Sequence, residues 1–442
     1  MKYFSHSKKF DDGTVQGSKL LIDHIQGVTE IAQKQFNSSV RFNHSDRELR
    51  SLFKDIVDFH DLGKYTSYFQ NYLLQHEPID STLKQHARFG GYAAYHKLQE
   101  DEKKALIAFV LIFSHHGNLI SFDNYAQRLK TGANRIFEEQ KKNIQEKLYQ
   151  IEEELEIGNL SEILQFPDSK QMRKTFRIWV KKKQNIEDYF LINYLFSLLI
   201  EADKLDASDT PLYSLKSIEE DWVDRRFSTA DLSGFANLTG LTNNELRNYC
   251  RAEVISHLKN DSILEQQIFT LTAPTGIGKT MTALDFSLKL KSKIRNKENR
   301  EAQIIYALPF INIIEQALDE YEQTLPKENL RILGHYQFAD VFGIQSDSDK
   351  ENYHQKLMKL DTWQGDVVIT SFVQFFETLI SNRNKLLKKF NHFAGSIIIL
   401  DEVQTLRLDQ MPLLGAVLFY LAKFLDARII LMTATKPKIF DL

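Results

Sequence analysis

The sequence predicts two architectures in series: an α-helical N-terminal half, then an α/β domain with a doubly wound parallel sheet. Three observations predict this. Up to about residue 225, apolar residues recur at three- and four-residue spacing, the period of amphipathic helices. From residue 268, short β-rich runs alternate with helical stretches, as parallel βαβ units require. Between them, a polar stretch from Asp206-Ala-Ser-Asp-Thr-Pro211 onward reads as a connection. The expected spans are 1–225 for the helical domain, 226–260 for a linker and lead-in helix, and 261–442 for the α/β domain.

In chain order, helices are expected near 18–36, 46–62, 82–98, 101–116 and 186–204, with a solvated Glu-, Lys- and Gln-rich helix over 135–156. Residues 243–260 suggest a helix leading into the second half. There the β runs are Ile268–Ala273, Gln303–Leu308, Asp366–Ser371, Ser396–Leu400 and Arg428–Thr433. Helices near 279–292, 311–323, 373–388 and 411–425 separate and follow them.

Composition narrows the function classes. With 43% hydrophobic and 26% charged residues over 442 positions, a sizeable core can form in two or three domains. A net charge of −3 excludes a uniformly basic coat, so any DNA path is a local groove. Cys250 is the sole cysteine, which rules out internal disulfides and thiolate zinc sites and fits a reducing cytoplasm. The apolar runs Ala105–Phe113 and Phe190–Ile200 fall short of the roughly 20 residues a membrane span needs. No signal-peptide pattern opens the sequence, so no membrane partner is expected.

Nine of the 13 histidines lie in residues 1–116, which concentrates candidate metal chemistry there. His60 and Asp61 end the apolar stripe of Leu52, Ile56 and Phe59, inside Phe59-His-Asp-Leu-Gly-Lys64. A buried imidazole and carboxylate side by side are costly unless paired or bound to metal. His24 shares the helix face of Leu20, Leu21, Val28 and Ile31. His115 and His116 close the run ending in Phe113, and Asp203 follows Leu199 and Ile200 at helical spacing. His86 precedes the small-residue stretch Gly90-Gly91-Tyr92-Ala93-Ala94, which lets helices approach closely. Five imidazoles and two carboxylates without thiolate suit Mn, Fe, Co or Ni, with Mg also possible. Two ions about 3.5–4 Å apart are the arrangement that phosphodiester cleavage uses.

In order and context, these residues resemble the HD nuclease domain of the CRISPR-associated helicase–nuclease of type I interference. The resemblance rests on His24, Asp58-Phe-His-Asp-Leu-Gly-Lys64, Lys84-Gln-His86, Ser114-His-His-Gly117 and Asp203. It implies a two-metal site in which His24, His60 and Asp203 hold one ion and His86, His115 and His116 the other. Asp61 would bridge them, and Lys64 would sit near the scissile phosphate. His6, His44, His76 and His96 are left as surface or core residues.

Ala273-Pro-Thr-Gly-Ile-Gly-Lys-Thr280 follows a β run and opens a helix, the context of a phosphate-binding loop. Gly276 and Gly278 admit close backbone approach; Lys279 would reach the β- and γ-phosphates of ATP, and Thr280 would ligate Mg²⁺. Ser396-Ile-Ile-Ile-Leu-Asp-Glu-Val-Gln404 reads as a buried strand that delivers Asp401 and Glu402 to the ligand end of a parallel sheet. Asp401 would hold the Mg²⁺ shell, and Glu402 would orient the attacking water. This half resembles the first RecA-like lobe of superfamily 2 helicases. The resemblance extends to Ala307-Leu-Pro-Phe-Ile-Asn312, Thr370-Ser-Phe-Val-Gln-Phe375 and Thr433-Ala-Thr435. It implies DNA-backbone contacts at Pro309, Asn312, Thr370 and Ser371, and coupling of hydrolysis to movement through Thr433 and Thr435. Gln404 stands where many relatives carry His.

The chain ends at Leu442, soon after Thr435, and the second RecA-like lobe is expected to be absent, as in a C-terminally truncated member. Without that lobe's arginine, phosphoryl transfer would lose about 10³–10⁵-fold, so slow hydrolysis and no unwinding are expected of this chain alone. The function implied is a metal-dependent single-stranded DNA nuclease coupled to an ATP-driven 3′-to-5′ helicase motor. By resemblance, an RNA-guided surveillance complex recruits it against invading DNA. The alternatives are an HD phosphohydrolase acting on a nucleotide, and a non-catalytic remnant that binds DNA or the surveillance complex. Two basic stretches, Arg173–Lys183 and Asn384–Lys389, read as solvated charged faces.

Overall fold

Leu21, His24, Ile25, Val28 and Ala32 line the buried face of one helix in the first half of the molecule. The structure, a computed structural model, describes residues 2–75, 80–129, 133–181, 185–227, 240–326, 330–335 and 350–434. These form two compact units. One comprises Met1–Ser38, Phe42–Pro211 and Ser381–Asn391; the other comprises Ser39–Arg41, Leu212–Ile380 and His392–Leu442.

The helical unit opens with an antiparallel hairpin, β1 (Phe4–Lys9) and β2 (Val15–Leu20), which leads directly into α1 (Leu21–Gln35). Helix α2 (Asp46–His60) starts at a capping box: Ser45 accepts from the Glu48 N–H, and the Glu48 carboxylate accepts from the Ser45 N–H. It buries Leu49, Leu52, Phe53, Ile56, Val57 and Phe59. Helices α3 (His86–Lys97) and α4 (Glu102–Ser114) follow, then α5 (Ile186–Ala207). Every residue of α5 from Phe190 to Asp203 is buried, the mark of a helix surrounded on all sides. The solvated helix expected over 135–156 is two helices, Ala133–Ile144 and Leu148–Leu155, broken by a 3-10 turn at Gln145–Lys147. Gly90 fixes how close α3 comes to α2: a Cβ there would lie 1.9 Å from the Phe59 carbonyl oxygen.

In the second unit, α6 (Asn243–Ser256) precedes β3 (Ile268–Thr272) and α7 (Lys279–Glu298). The chain continues through β4 (Ile304–Leu308), α8 (Ile311–Thr324), β5 (Ile332–His335) and β6 (Val367–Ser371). Helix α9 (Phe372–Ile380), β7 (Ile397–Leu400), α10 (Met411–Leu425) and β8 (Arg428–Thr433) complete it. The six strands pair in parallel in the order β3-β8-β7-β4-β6-β5. The inner strands read as near-continuous apolar runs because both their faces are covered. Among the described residues, no helix is long and apolar enough to cross a membrane.

The helix expected over 373–388 stops at Ile380 and resumes only as the short turn Asn384–Leu387. The intervening segment is part of the helical unit: Asn382 Nδ2 donates to the Leu119 carbonyl, and the Asn382 carbonyl accepts from the Leu119 N–H. Asn382 therefore bonds to a distant backbone and not along its own helix.

Candidate metal centre and phosphate loop

His60 is the last residue of α2, and the chain turns at Asp61 into the 3-10 turn Leu62–Tyr65. That turn brings Lys64 Nζ back to within 2.6 Å of Asp61 Oδ2, with both side chains almost fully buried. His86, at the start of α3, places Nε2 3.3 Å from Asp61 Oδ1. Gly63 permits this, since a Cβ there would meet the His86 Cα at 2.4 Å. His115, at the end of α4, places Nε2 3.6 Å from Asp61 Oδ1. His24 on α1 sets Nε2 3.2 Å from Asp61 Oδ2 and 3.4 Å from Asp203 Oδ1 on α5. His116, the exposed member, meets His86 with the two Nε2 atoms 2.8 Å apart.

All seven residues expected to bind metal thus converge. They fall into two groups of possible ligands that share Asp61. One is Asp61, His86, His115 and His116; the other is His24, His60 and Asp61, with the atoms of each group within 4.8 Å of one another. Asp203 joins the second through His24.

The hydrogen bonds behind these imidazoles decide their chemistry. His60 Nδ1 lies 2.6 Å from the Val57 carbonyl oxygen, and His115 Nδ1 lies 2.7 Å from that of Ile112. A carbonyl only accepts, so Nδ1 carries the hydrogen in each ring and Nε2 is the nitrogen turned toward Asp61. Burial holds His60 neutral, down at about 4. The Nε2 atoms of His60 and His115 and Oδ1 of Asp61 are buried without a hydrogen-bond partner among the described residues. Lone pairs of imidazole and carboxylate crowded together out of water demand a cation. A ring nitrogen tied to a carbonyl with its opposite nitrogen facing a cluster is the arrangement that orients metal-binding histidines. The residues present therefore fit a metal site.

Electrostatics agree. Burial works against ionisation of Asp61, yet the Lys64 ammonium beside it holds its carboxyl well below the usual range. Burial also opposes Asp203, and His24 keeps it ionised. At His24 the carboxylates of Asp203, Asp206 and Asp61 outweigh burial and hold the ring up at about 10. Asp206 was not among the residues expected from sequence. Its Oδ2 lies 2.5 Å from His24 Nδ1, while Lys19 Nζ pairs with its Oδ1 at 2.9 Å. The signal was present in Asp203-Lys-Leu-Asp206, where the second carboxylate follows one helical turn after the first. A second unanticipated support is Asn384, whose Nδ2 donates to the His115 carbonyl at 2.8 Å. Asn391 likewise binds Ser197 and Glu201 on the helix that carries Asp203.

In the α/β unit, the loop after β3 takes positive φ at Gly276 (+81°) and Gly278 (+82°), and α7 begins at Lys279. Lys279 Nζ donates to the Ala273 carbonyl at 3.1 Å and lies 3.8 Å from Glu402 Oε1. A cavity of about 790 Å³ spans this loop, lined also by Arg247, Thr280, Tyr306, Asp401 and Glu402. Asp401 follows β7 and accepts from the Tyr306 hydroxyl at 2.7 Å; burial raises its carboxyl above the ordinary value. Glu402 adopts a left-handed φ of +54°, rare for a side-chain-bearing residue. Gln404 donates to Glu402 and accepts from the Thr433 hydroxyl at 2.6 Å.

The expected DNA contacts divide. Pro309 directly follows β4, and Asn312, which is exposed, lies in the first turn of α8. Ser371 caps α9 by accepting from the Gln374 N–H. Thr370 is fully buried and its hydroxyl donates to the His335 carbonyl, which ties β6 to β5. Thr435, His76 and the end of the Arg173–Lys183 stretch lie outside the described residues.

Two protein families match the sequence. Residues 8–178 match the family described as Cas3, HD domain, and residues 251–442 match DEAD/DEAH box helicase. The CRISPR-associated nuclease/helicase Cas3 of Haloferax volcanii is 24% identical over 477 aligned residues, covering 96% of this chain and 49% of that protein. Among solved structures, T. fusca Cas3-AMPPNP is similar with a TM-score of 0.56 at 13% identity, over 99% of this chain and 50% of that one. The structure of T. fusca Cas3 gives 0.54 at 15%, over 95% and 48%. These two structural likenesses carry the fold. The chain spans about half the length of the relatives it matches.

Proposed function

The chain belongs to the Cas3-like nuclease/helicase family of CRISPR interference, an HD domain fused to a DEAD-box helicase domain, and on that premise we propose a metal-dependent single-stranded DNA nuclease. The observation that carries this reading is the pair of buried, unpartnered Nε2 atoms of His60 and His115 beside the buried carboxylate of Asp61. His24, His60 and Asp203 would hold one divalent ion, His86, His115 and His116 a second, and Asp61 both. Mn, Fe, Co or Ni suit this donor set, with Mg also possible. Bound there, the ions would polarise the scissile phosphoryl group and lower the pKa of the attacking water.

The protein's own groups do the rest. The Val57 and Ile112 carbonyls fix the tautomers of His60 and His115. Lys64 keeps Asp61 ionised and offers its ammonium to the phosphate of the strand being cut. The α/β unit would act as a motor lobe for 3′-to-5′ movement. Gly276, Gly278, Lys279 and Thr280 would cradle ATP with Mg²⁺, Asp401 would hold the Mg²⁺ shell, and Glu402 would orient water. The Gln404–Thr433 bond would link hydrolysis to the DNA-facing residues Pro309, Asn312 and Ser371. The proposed domain division is 1–225, 226–260 and 261–442. The proposed partners are single-stranded DNA and an RNA-guided surveillance complex in the cytoplasm.

Degradation of circular single-stranded DNA with Mn²⁺, Co²⁺ or Ni²⁺ and without ATP, beside Asp61→Ala, tests the reading. Cleavage by the wild type that the variant loses is expected. A wild type that binds metal, spares DNA and hydrolyses a nucleotide phosphoester would overturn the DNA reading in favour of a phosphohydrolase.

A further inference from the structure

Arg88 and Arg128 come from different helices and converge on one ring. The guanidinium carbon of Arg88 lies 5.3 Å from the centroid of Phe113 and that of Arg128 lies 5.8 Å from it, close enough for each cation to be drawn to the ring. The fold sets this trio beside candidate metal ligands. Arg88 is in the first turn of α3, which His86 opens. Phe113 is in the last turn of α4, and His115 and His116 follow directly after Ser114. Arg128 ends the helix Phe122–Arg128, which is pinned to the same place by Tyr125. The buried Tyr125 hydroxyl lies 2.5 Å from Ser114 Oγ and accepts from the Ile120 N–H at 3.3 Å. The Tyr125 ring packs edge-on against Phe113, with centroids 5.8 Å apart.

What the pair lacks is a counter-charge. Acids are not scarce, with 59 Asp and Glu against 56 Lys and Arg in the chain. Yet among the described residues neither arginine forms an ion pair with a carboxylate. Burial lowers the Arg88 guanidinium from its ordinary value; the Tyr92 phenol works the other way, and the like charge of Arg128 adds to the lowering. Arg88 and Phe113 are half-buried, while Arg128 and His116 are exposed, so solvent reaches the pair. Two guanidiniums held together against an apolar ring and open on one side are an arrangement that an anion relieves, and their planar forks suit phosphate.

We propose that Arg88 and Arg128, sharing the Phe113 ring, form a phosphate-binding cradle for the backbone of single-stranded DNA at the His115–His116 end of the metal cluster. The phosphates held there flank the one to be cut, so the cradle favours a polynucleotide over an isolated phosphoester at the metals. This deepens the single-stranded DNA reading and rests on it.

The test uses the full chain in EDTA, which separates strand binding from metal chemistry, and a fluorescent single-stranded oligonucleotide titrated at several salt concentrations. Arg88→Gln with Arg128→Gln removes both charges, and Arg128→Gln alone changes only an exposed position. As a control, Lys174→Gln with Arg177→Gln removes two charges from the exposed face of the helix Ser169–Lys181. The paired arginine variant is expected to bind about 10–100-fold more weakly, as when charge-assisted bonds to a phosphate are lost. Its plot of log affinity against log salt should be shallower by about 0.7–1.4, the slope of one or two phosphate contacts on a single strand. Arg128→Gln should show part of both effects, and the control should be little changed. Wild-type affinity and slope in either arginine variant overturns the proposal, as does an equal loss in the control or a wild type that binds no single strand. Cleavage of circular single-stranded DNA with Mn²⁺, read separately, keeps the two readings apart. Binding that depends on the arginines without any cleavage leaves the cradle standing and removes the nuclease; binding and cleavage that both ignore the arginines do the reverse.

Discussion

Asp206 Oδ2 lies 2.5 Å from Nδ1 of His24, so a carboxylate one turn beyond Asp203 fixes the ring whose other nitrogen faces Asp61. Asp206 is itself held by Lys19 from β2, which ties the hairpin, α1 and α5 together behind the cluster. Removing such a support commonly costs 10–100-fold in metal affinity. Asp206→Ala is therefore expected to weaken Mn²⁺ binding by about that factor, and Asp206→Asn, which keeps an acceptor, by less. Calorimetric titration checks both.

Much of this was legible in the sequence, because each feature had a local signal. The five strands read from 268 onward are observed within one residue of their expected ends, since buried parallel strands are runs such as Ile397–Leu400 with polar or turn residues at their borders. The residues of the candidate metal cluster were legible because they sit on or at the ends of buried helical stretches, His24 within one and His60 and His115 at the ends of two others. What was not legible depends on partners distant in sequence. The hairpin strand Phe4–Lys9 carries Ser, His and Lys and gives no apolar alternation. Strand β5 has four residues at the sheet's edge. Nothing local announces that Asn384 and Asn391 serve the helical unit, or that the Thr370 hydroxyl is used by His335.

The stability of the metal-free protein should peak near pH 6.5. His60 is lowered by burial to about 4, so the unfolded chain takes up a proton that the folded one refuses, and stability falls as pH drops from 6.5 toward 4. His24 is raised by its carboxylates to about 10, against its burial. Its contribution is fully present below pH 6.5 and is lost as pH rises through about 10. The acid limb is worth on the order of 3 kcal/mol and the alkaline limb on the order of 5 kcal/mol. A divalent ion would replace the proton on His24 Nε2, so Mn²⁺ should flatten the alkaline limb. Melting temperatures across pH in EDTA and in Mn²⁺ read this directly; an alkaline limb indifferent to metal would contradict it.

Gln404 and Thr433 should be energetically coupled. Thr433 is fully buried, and its hydroxyl donates to Gln404 Oε1 at 2.6 Å. Gln404→Ala and Thr433→Val are each expected to destabilise the α/β unit by about 1 kcal/mol. The double variant should cost less than the sum by about 0.5–1 kcal/mol, because the second change removes a bond already broken. Denaturant unfolding of the four proteins gives the cycle, and strict additivity would mean that the bond carries nothing.

The central claim is that Asp61 and the imidazoles around it hold a pair of divalent ions. Electron paramagnetic resonance of a Mn²⁺ titration tests it most directly. Because the two ligand groups share Asp61, the account predicts two ions per chain with a spin-coupled spectrum, and loss of that coupling in Asp61→Ala. A wild type that binds no Mn²⁺ or a single uncoupled ion, or a variant with the same coupled spectrum, would contradict it.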